Sequence, residues 1–173
     1  MYQEKNLDIS YNRLEGGQRL KSDYKKSNIF FSIITVVYNR DIYLEETIKS
    51  VVNQSFKNFE YIIVDGASKD NSLNIIKKYE NEIDYWISEK DNGIYDAMNK
   101  GLRLANGSYI GILNSDDFYE KNSLKIVIKY FKKFKDIDYL FGTVHKKKIL
   151  CGFWPKKIKW KFNIYSAHSV GFF

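Results

Sequence analysis

The chain contains almost no cysteine and no long apolar segment, and each absence excludes a class of protein. Cys151 is the single cysteine among 173 residues, so no disulfide forms within the chain, and this usage suits a reducing cytoplasm. No window approaches the roughly 18 apolar residues that a membrane-spanning helix needs. Residues 1–10 lack the apolar core of a signal peptide. We therefore expect a cytoplasmic protein, either free or peripheral on the inner face of the plasma membrane.

The composition indicates one folded domain. Hydrophobic residues make up 44% and aromatic residues 17% of the chain, which excludes a disordered polymer. A length of 173 residues is enough for a sizeable core and hardly enough for two domains. We divide it into a loosely ordered N-terminal arm (1–28) without sustained periodicity, a central domain (29–145) and a basic aromatic hairpin or flap (146–173).

Short apolar runs alternate with helical patterns between residues 29 and 144. The runs are rich in β-branched residues, which is typical of strands buried on both faces. We predict strands at 29–37, 59–64, 85–88, 109–113 and 139–144. The intervening segments have apolar residues at helical spacing, and Asp41 and either Asp70 or Ser72 are candidate caps for the first two helices. This order predicts an α/β fold with a mostly parallel sheet and helices on both faces.

Polar residues follow the predicted strands and should meet in one crevice. Right-handed crossovers place the carboxyl ends of parallel strands at one edge of the sheet, where ligands bind. The segments concerned are 38–40, 65–66, 89–93 and the acidic pair Asp116 and Asp117. Adjacent carboxylates repel unless a cation or hydrogen-bond donors compensate them, and a divalent metal carrying a phosphorylated ligand would do so. An ordinary acidic turn is the alternative interpretation of this pair.

Five motifs follow one another along the central part of the chain: FSIITVVYNR (31–40), SVVNQS (50–55), EYIIVDGASKD (60–70), IDYWISEKDNGIYDAMNKG (83–101) and LNSDD (113–117). In this order they resemble family 2 glycosyltransferases, which have the GT-A nucleotide-sugar fold. The long motif at 83–101 is similar to a subgroup that makes bacterial surface polysaccharides, of the colanic-acid type. The resemblance covers about residues 30–145 and implies that the central domain (29–145) is a nucleotide-sugar-binding GT-A domain.

The resemblance implies a role for each candidate site residue. Thr35, Val37 and Tyr38 would line the nucleobase pocket with Asn39. Taken alone, Thr35 and Val37 are more often core residues, and Asn39 and Arg40 could serve only to cap the first helix. Asp65 would accept a hydrogen bond from the base, and a carboxylate suits the imide N–H of uracil. The donor sugar and diphosphate would lie against Asp91, Asn92, Gly93, Asp96 and Asn99, although residues 91–96 could form only an ordinary turn and helix start.

The resemblance also implies a metal cofactor, Mg²⁺ or Mn²⁺. Asp117 would ligate it, and Asp116 would hold the ribose hydroxyls or assist with the metal. His168 is a weaker metal or acceptor candidate, because a single histidine near an apolar end is more often structural. The implied reaction is inverting transfer of a sugar from a nucleoside diphosphate, most plausibly UDP, to a glycan or lipid-linked acceptor.

The chain departs from the family pattern at three places. Met98 replaces a common arginine and fits an apolar helix face. Asn114 replaces the first acid of the commoner Asp-x-Asp-Asp form. The chain is also C-terminally short, and the region that supplies the acceptor's general base is not recognisable, so the catalytic base is unknown. The alternative function is therefore a truncated, non-catalytic nucleotide-sugar-binding module.

The net charge of +7 is concentrated in the last third of the chain. Lysines there alternate with tryptophan and phenylalanine between residues 146 and 162. This mixture suits a solvated basic hairpin, an anionic membrane surface or, less well, nucleic acid. The partners we expect are a UDP-sugar donor, a glycan or lipid-linked acceptor and a membrane surface; nucleic acid is not expected, and self-association is open.

Overall fold

The sheet has seven strands in the order β1-β4-β3-β2-β5-β7-β6. The computed structural model describes residues 13–134, 139–140 and 164–166. The strands are β1 (Leu14–Gly16), β2 (Phe31–Val37), β3 (Phe59–Asp65), β4 (Tyr85–Ser88), β5 (Tyr109–Asn114), β6 (Tyr139–Leu140) and β7 (Ile164–Ser166). The helices are α1 (Asp41–Val52), α2 (Ser72–Lys78), α3 (Ile94–Leu104) and α4 (Ser123–Lys133).

Four central strands, β4, β3, β2 and β5, are mutually parallel. Every residue of β2 and β3 is buried, which explains their nearly continuous apolar sequence. Alternate residues face opposite sides of the sheet. Ile33 and Val37 pack with α1, α2 and α4, whereas Ile34 and Val36 pack against α3. The predicted α/β fold with helices on both faces and a mostly parallel centre is therefore confirmed.

The predicted N-terminal arm is wrong for residues 14–20. Residues 14–16 form β1, which pairs antiparallel with β4, and a short 3₁₀ helix follows at Gln18–Leu20. Arg19 then forms an ion pair with the fully buried Glu60 and donates 2.7 Å to the carbonyl of Leu104. A three-residue edge strand that pairs with a strand distant in sequence leaves no periodic signal of its own, so the sequence predicted an irregular segment here.

The cap predicted for α1 is also different from the one observed. Asp41 is the first residue of α1 rather than its cap, and the carboxylate of Asp70 accepts 3.0 Å from the N–H of Asp41. The same carboxylate accepts 3.0 Å from the N–H of Ser72, the first residue of α2, although Asn71 rather than Asp70 or Ser72 occupies the cap position. Burial acts to raise the pKa of Asp70, but these hydrogen bonds outweigh it and lower the pKa. One carboxylate therefore fixes the beginnings of both helices beside the same sheet edge.

The C-terminal prediction is only partly covered by the described residues. β6 contains the first two residues of the predicted fifth strand, and β7 pairs antiparallel with both β5 and β6. Residues 141–163, which include most of the predicted hairpin, and His168 lie outside the described residues. In the part of the chain that the structure describes, no helix has the length and apolarity that crossing a membrane requires.

Glu45 ties α1 to α2 and gives a pH-dependent prediction. Its Oε1 accepts 2.8 Å from Lys49 Nζ, 2.7 Å from Tyr79 Oη and 2.9 Å from Lys78 Nζ. Lys49 first, then Tyr79 and Lys78, lower the pKa of Glu45 to about 2. A depressed carboxyl pKa stabilises the fold above the unfolded-state pKa and loses this effect as pH falls through the folded pKa. We expect Glu45→Gln to lower the urea midpoint at pH 7, with the difference from wild type shrinking between pH 4.5 and 2. A difference that is constant with pH would contradict this.

Candidate functional site

The carboxyl ends of the four parallel strands place the predicted site residues along one edge. Val37 pairs with Asp65, Asp65 pairs with Ser88, and Val36 pairs with Asn114. Asp65 and Asn114 are thus two strand spacings apart, roughly 10 Å. Tyr38 follows β2, and Asp116 and Asp117 follow β5. As predicted, these segments follow strands that end at the same edge of the sheet.

Asp65 lies fully buried at the end of β3. Its carboxylate accepts hydrogen bonds from the Ser68 hydroxyl, from the Ser68 N–H at 3.1 Å and from Ser88 Oγ at 2.5 Å. Its backbone carbonyl accepts 3.0 Å from the N–H of Glu89. The carboxylate therefore joins β3 to β4, in addition to any contact that it makes with a ligand.

Ser68 connects this carboxylate to the loop after β2. The Ser68 hydroxyl donates to Asp65 and accepts 2.9 Å from the N–H of Asn39, whose Oδ1 accepts 2.8 Å from the N–H of Lys69. Asn39 and Ala67 have positive φ angles of 51° and 60°, which is uncommon for residues other than glycine. Strained backbone of this kind persists where surrounding contacts over-determine it, and it clusters at functional sites. Arg40, not Asn39, occupies the cap position of α1, and the side chain of Asn39 instead fixes the loop after β3.

Gly66 is the point where three loops meet. A Cβ at this residue would lie 2.5 Å from Asp91 Oδ2 and 3.3 Å from Tyr38 Cδ2. The N–H of Gly66 donates 2.9 Å to the carbonyl of Val37. Tyr38 remains 58% exposed, so one ring face is available for a ligand. The structure thus brings Tyr38, Asp65 and Asp91 together, as predicted.

Thr35 and Val37 occupy the core rather than the crevice surface. Thr35 is fully buried and its Oγ1 accepts 3.0 Å from the hydroxyl of Tyr61, while Val37 packs in the cluster beneath α1. Burial raises the pKa of Tyr61, so this hydroxyl keeps its proton and donates. The pocket-lining role predicted for the side chain of Thr35 does not agree with its burial, because an alternating strand turns it into the core.

The loop between β4 and α3 contains the predicted donor-sugar residues. Asp91 Oδ1 accepts 2.8 Å from the N–H of Gly93, and Asp96 Oδ2 accepts 3.0 Å from the N–H of Asn92. These two amides are therefore already bonded within the loop. Asn92 and Gly93 are exposed, and Asn99 is half-buried one turn beyond Asp96. Met98 packs against the cluster beneath α3, which agrees with its interpretation as a core residue.

Lys100 holds this loop in place, although the motif comparison did not single it out. Its Nζ lies 2.9 Å from Glu89 Oε1 and 3.7 Å from Asp96 Oδ2, and it donates 2.8 Å to the carbonyl of Lys90. The side chain is only 17% exposed, so solvent screens these contacts less than at the open surface. The spacing of four residues between Asp96 and Lys100 is a sequence signal for part of this arrangement.

We expect Lys100→Met to loosen the loop without unfolding the domain. Loss of a partly buried ion pair costs about 1 kcal/mol, which corresponds to roughly fivefold faster amide exchange in residues 89–93. Hydrogen exchange followed by mass spectrometry measures this directly. Lys49→Met, which removes an exposed ion pair on α1, is the control and should leave these amides unchanged. Equal exchange in Lys100→Met and wild type would show that Lys100 does not hold the loop.

The acidic pair lies in the loop after β5 and is open to solvent. Asp116 and Asp117 are both exposed, and Asp117 Oδ2 accepts 3.2 Å from Asn114 Nδ2. Oγ1 of the buried Thr47 on α1 lies 2.9 Å from the carbonyl oxygen of Ser115 and 2.8 Å from that of Asp117, so its single proton is shared between the two acceptors. Asn114, which replaces an acid of the family pattern, therefore orients the neighbouring carboxylate, and Thr47 fixes the loop. A threonine inside a helix gives no sequence signal for this role.

Asp116 and Asp117 could supply part of the ligand set of a divalent cation. Mg²⁺ is commonly held by one or two carboxylates together with substrate phosphates, and two exposed neighbouring acids meet that requirement. Within residues 13–134 and the two short described strands, no three or more acidic, histidine or cysteine side chains cluster as a complete metal site. A metal here would depend on ligand oxygens as well as on the protein.

Comparison with known proteins decides the family. The sequence model described as Glycosyl transferase family 2 matches residues 32–169. The chain belongs to this family. It is 35% identical over 139 residues to an uncharacterized glycosyltransferase of Methanocaldococcus jannaschii, covering 75% of this chain and 48% of the relative. It is 39% identical over 103 residues to the putative teichuronic acid biosynthesis glycosyltransferase TuaG of Bacillus subtilis, covering 57% of this chain and 40% of the relative.

A solved structure supports the GT-A fold. Residues 1–349 of S. aureus TarS, in complex with UDP-GlcNAc, superpose with a TM-score of 0.63 at 23% identity, covering 80% of this chain and 45% of that chain. The family predicted from the motifs is confirmed. The chain spans less than half the length of these curated relatives and of this neighbour.

Proposed function

We propose that this chain is a glycosyltransferase that binds a UDP-sugar at the carboxyl edge of the sheet. The observation that carries the proposal is the meeting of Tyr38, Asp65 and Asp91 around Gly66, on a family 2 fold. TarS binds UDP-GlcNAc on a similar fold, and TuaG is named for teichuronic acid biosynthesis. These similarities support UDP-sugar as the donor class and bacterial surface polysaccharide as the product class.

In this proposal, different residues contact different parts of the UDP-sugar donor. The exposed ring of Tyr38 offers a stacking face for the uracil. The Asp65 carboxylate is fully buried and bonded to Ser68 and Ser88, so it would accept from the imide N–H of uracil once one of these hydroxyls moves aside. Asp116 would hold the ribose hydroxyls, and the loop that Lys100 holds would lie against the sugar and diphosphate with Asp91, Asn92, Gly93, Asp96 and Asn99. Asp117, with Asp116, would hold Mg²⁺ or Mn²⁺, which stabilises the departing nucleoside diphosphate when it is bound.

The acceptor in this proposal is a hydroxyl of a glycan or lipid-linked glycan, whose oxygen attacks the anomeric carbon of the donor sugar with inversion while UDP leaves from the opposite face. Inverting transfer needs a general base on the face opposite the leaving diphosphate. We assign no base within the described residues: Glu120 is exposed without a contact that activates it, and Asp136 and Asp138 lie outside them. The proposed location is the cytoplasm, with contact to the inner face of the plasma membrane through the basic aromatic segment 146–162.

Release of UDP from a panel of UDP-sugars, in Mn²⁺ and in a chelator, tests the proposed function. We expect metal-dependent release of UDP from at least one UDP-sugar and no release of GDP from the corresponding GDP-sugars. Slow hydrolysis without added acceptor is sufficient, because it reports donor activation alone. Binding of UDP without any release, even with a glycan acceptor present, would favour the non-catalytic binding module instead.

A further inference from the structure

Helix α4 carries two parallel rows of exposed side chains. Ile126, Tyr130 and Phe134, the last directly after the helix, are 51%, 48% and 45% exposed. Lys125, Lys129 and Lys133 form the adjacent row, and all three are exposed. Residues four apart lie one above another on a helix, so each row is continuous. We call these rows together the α4 outer face.

This face is not part of the core. The side of α4 that packs on the sheet carries Leu124 and Phe131, and both are buried in the main apolar cluster. Tyr130 and Phe134 instead stack on each other at the surface, with ring centroids 6.4 Å apart and planes 18° from parallel. Lys133 Nζ lies 5.2 Å from the centroid of the Phe134 ring, which joins the apolar row to the basic one.

The α4 outer face is also separate from the crevice. Six other exposed apolar side chains lie at the carboxyl edge, either just after a strand or in the first turn of the following helix. They are Tyr38, Ile42, Tyr43, Ile94, Tyr95 and Phe118. The two rows of α4 extend over two turns away from that edge, toward its C-terminal end at Lys133. Donor binding therefore gives no reason for their exposure.

The charge of α4 indicates what covers this face. Its eleven residues, SLKIVIKYFKK, include four lysines and no acid. Among the described residues, none of these lysines is ion-paired. Four uncompensated cations beside an aromatic row repel a second copy of the same surface, which disfavours a symmetric dimer through α4. An anionic surface is complementary to them.

We propose that the α4 outer face docks onto an anionic lipid bilayer. A tyrosine ring suits the interface, where its body is apolar and its hydroxyl stays hydrated. Lysines reach the phosphate headgroups while their methylene stems cover apolar surface. A bilayer accepts both rows of α4 at once, as interfacial helices with one apolar and one basic side do. The sequence repeats the same mixture of lysine and aromatic residues at 146–162, which is a second segment with this chemistry.

Sedimentation of the full chain with sucrose-loaded vesicles tests the proposal without using activity. Wild type should bind vesicles of phosphatidylcholine with one-third phosphatidylglycerol, and binding should weaken steeply with added salt; phosphatidylcholine alone should bind little. A triple variant with Lys125→Gln, Lys129→Gln and Lys133→Gln should bind the anionic vesicles about 100-fold more weakly, since each lysine contributes about fivefold to the affinity. Ile126→Ser with Tyr130→Ser and Phe134→Ser should weaken it at unchanged net charge.

A matched control removes three exposed lysines from other surfaces, Lys25, Lys57 and Lys77, with the same change in net charge. The proposal requires this control to bind like wild type, and all variants to keep the melting temperature of the parent within a few degrees. Equal loss in the control and the α4 lysine variant would leave only nonspecific charge and overturn the proposal. Failure of wild type to sediment with anionic vesicles would overturn it as well. So would a serine variant that retains vesicle binding but loses concentration-dependent self-association, because a second copy would then cover the face. None of these three results depends on whether the crevice binds UDP.

Discussion

Alanine in place of Asp117 should weaken UDP binding in the presence of Mn²⁺ by at least about 100-fold. The reason is that the proposed cation joins this carboxylate to the diphosphate, and such metal bridges supply several kcal/mol. Asp117 is exposed, and its recorded side-chain contact is a 3.2 Å hydrogen bond from Asn114, so the substitution leaves the core untouched. Calorimetric titration of UDP with and without Mn²⁺ measures the effect, and affinity without metal should change little.

Glu120→Ala is the matched control for this experiment. Glu120 is exposed, lies three residues further along the same loop, and its removal changes the net charge by the same amount. A general electrostatic effect would weaken binding equally in both variants. If Asp117→Ala keeps the Mn²⁺-dependent affinity of wild type, the metal assignment is wrong, and the acidic pair is then an ordinary turn.

Asp65→Ala should lower both stability and UDP affinity. The substitution leaves the hydroxyls of Ser68 and Ser88 without their buried acceptor, which costs about 2 kcal/mol, or roughly 4–8 °C in melting temperature for a domain of this size. It also removes the acceptor proposed for the uracil imide, so UDP affinity should fall about 10- to 100-fold. Thermal melting and calorimetry on the same sample separate the two effects.

Asp84→Ala gives the control for Asp65→Ala. Asp84 is another buried carboxylate, but it lies just before β4, away from the carboxyl edge, and accepts 2.8 Å from the N–H of Tyr61 and 2.8 Å from Lys26. Its loss should destabilise the fold by a similar amount and leave UDP affinity of the folded fraction unchanged. If Asp65→Ala is destabilised yet binds UDP like wild type, then Asp65 is structural only.

The central strands could be predicted because burial on both faces leaves a strong local signal. β2 and β3 are continuous apolar runs, and their predicted ends are within two residues of those observed. β1 gave no such signal: it has three residues, two of them exposed, and its structure comes from pairing with β4. Short edge strands depend on partners that are distant in sequence, which explains the wrong prediction of an irregular arm.

The candidate site, like the fold, could be predicted from the sequence only in part. Strand ends and crossover handedness were enough to predict that Tyr38, Asp65 and Asp91 converge. The residues that support them were missed, because Ser68, Ser88 and Thr47 are small hydroxyl residues whose roles depend on hydrogen bonds across loops. Thr35 was assigned to the pocket by the family resemblance alone; as expected for the residue taken by itself, strand alternation turns its side chain into the core, toward Tyr61.

Titration of UDP into the wild-type chain, with Mn²⁺ and with a chelator, tests the central claim most directly. A UDP site at the carboxyl edge predicts micromolar to millimolar binding that strengthens when Mn²⁺ is present and is not reproduced by GDP. No binding of UDP under either condition would contradict the account, and only membership of the family and its fold would then remain.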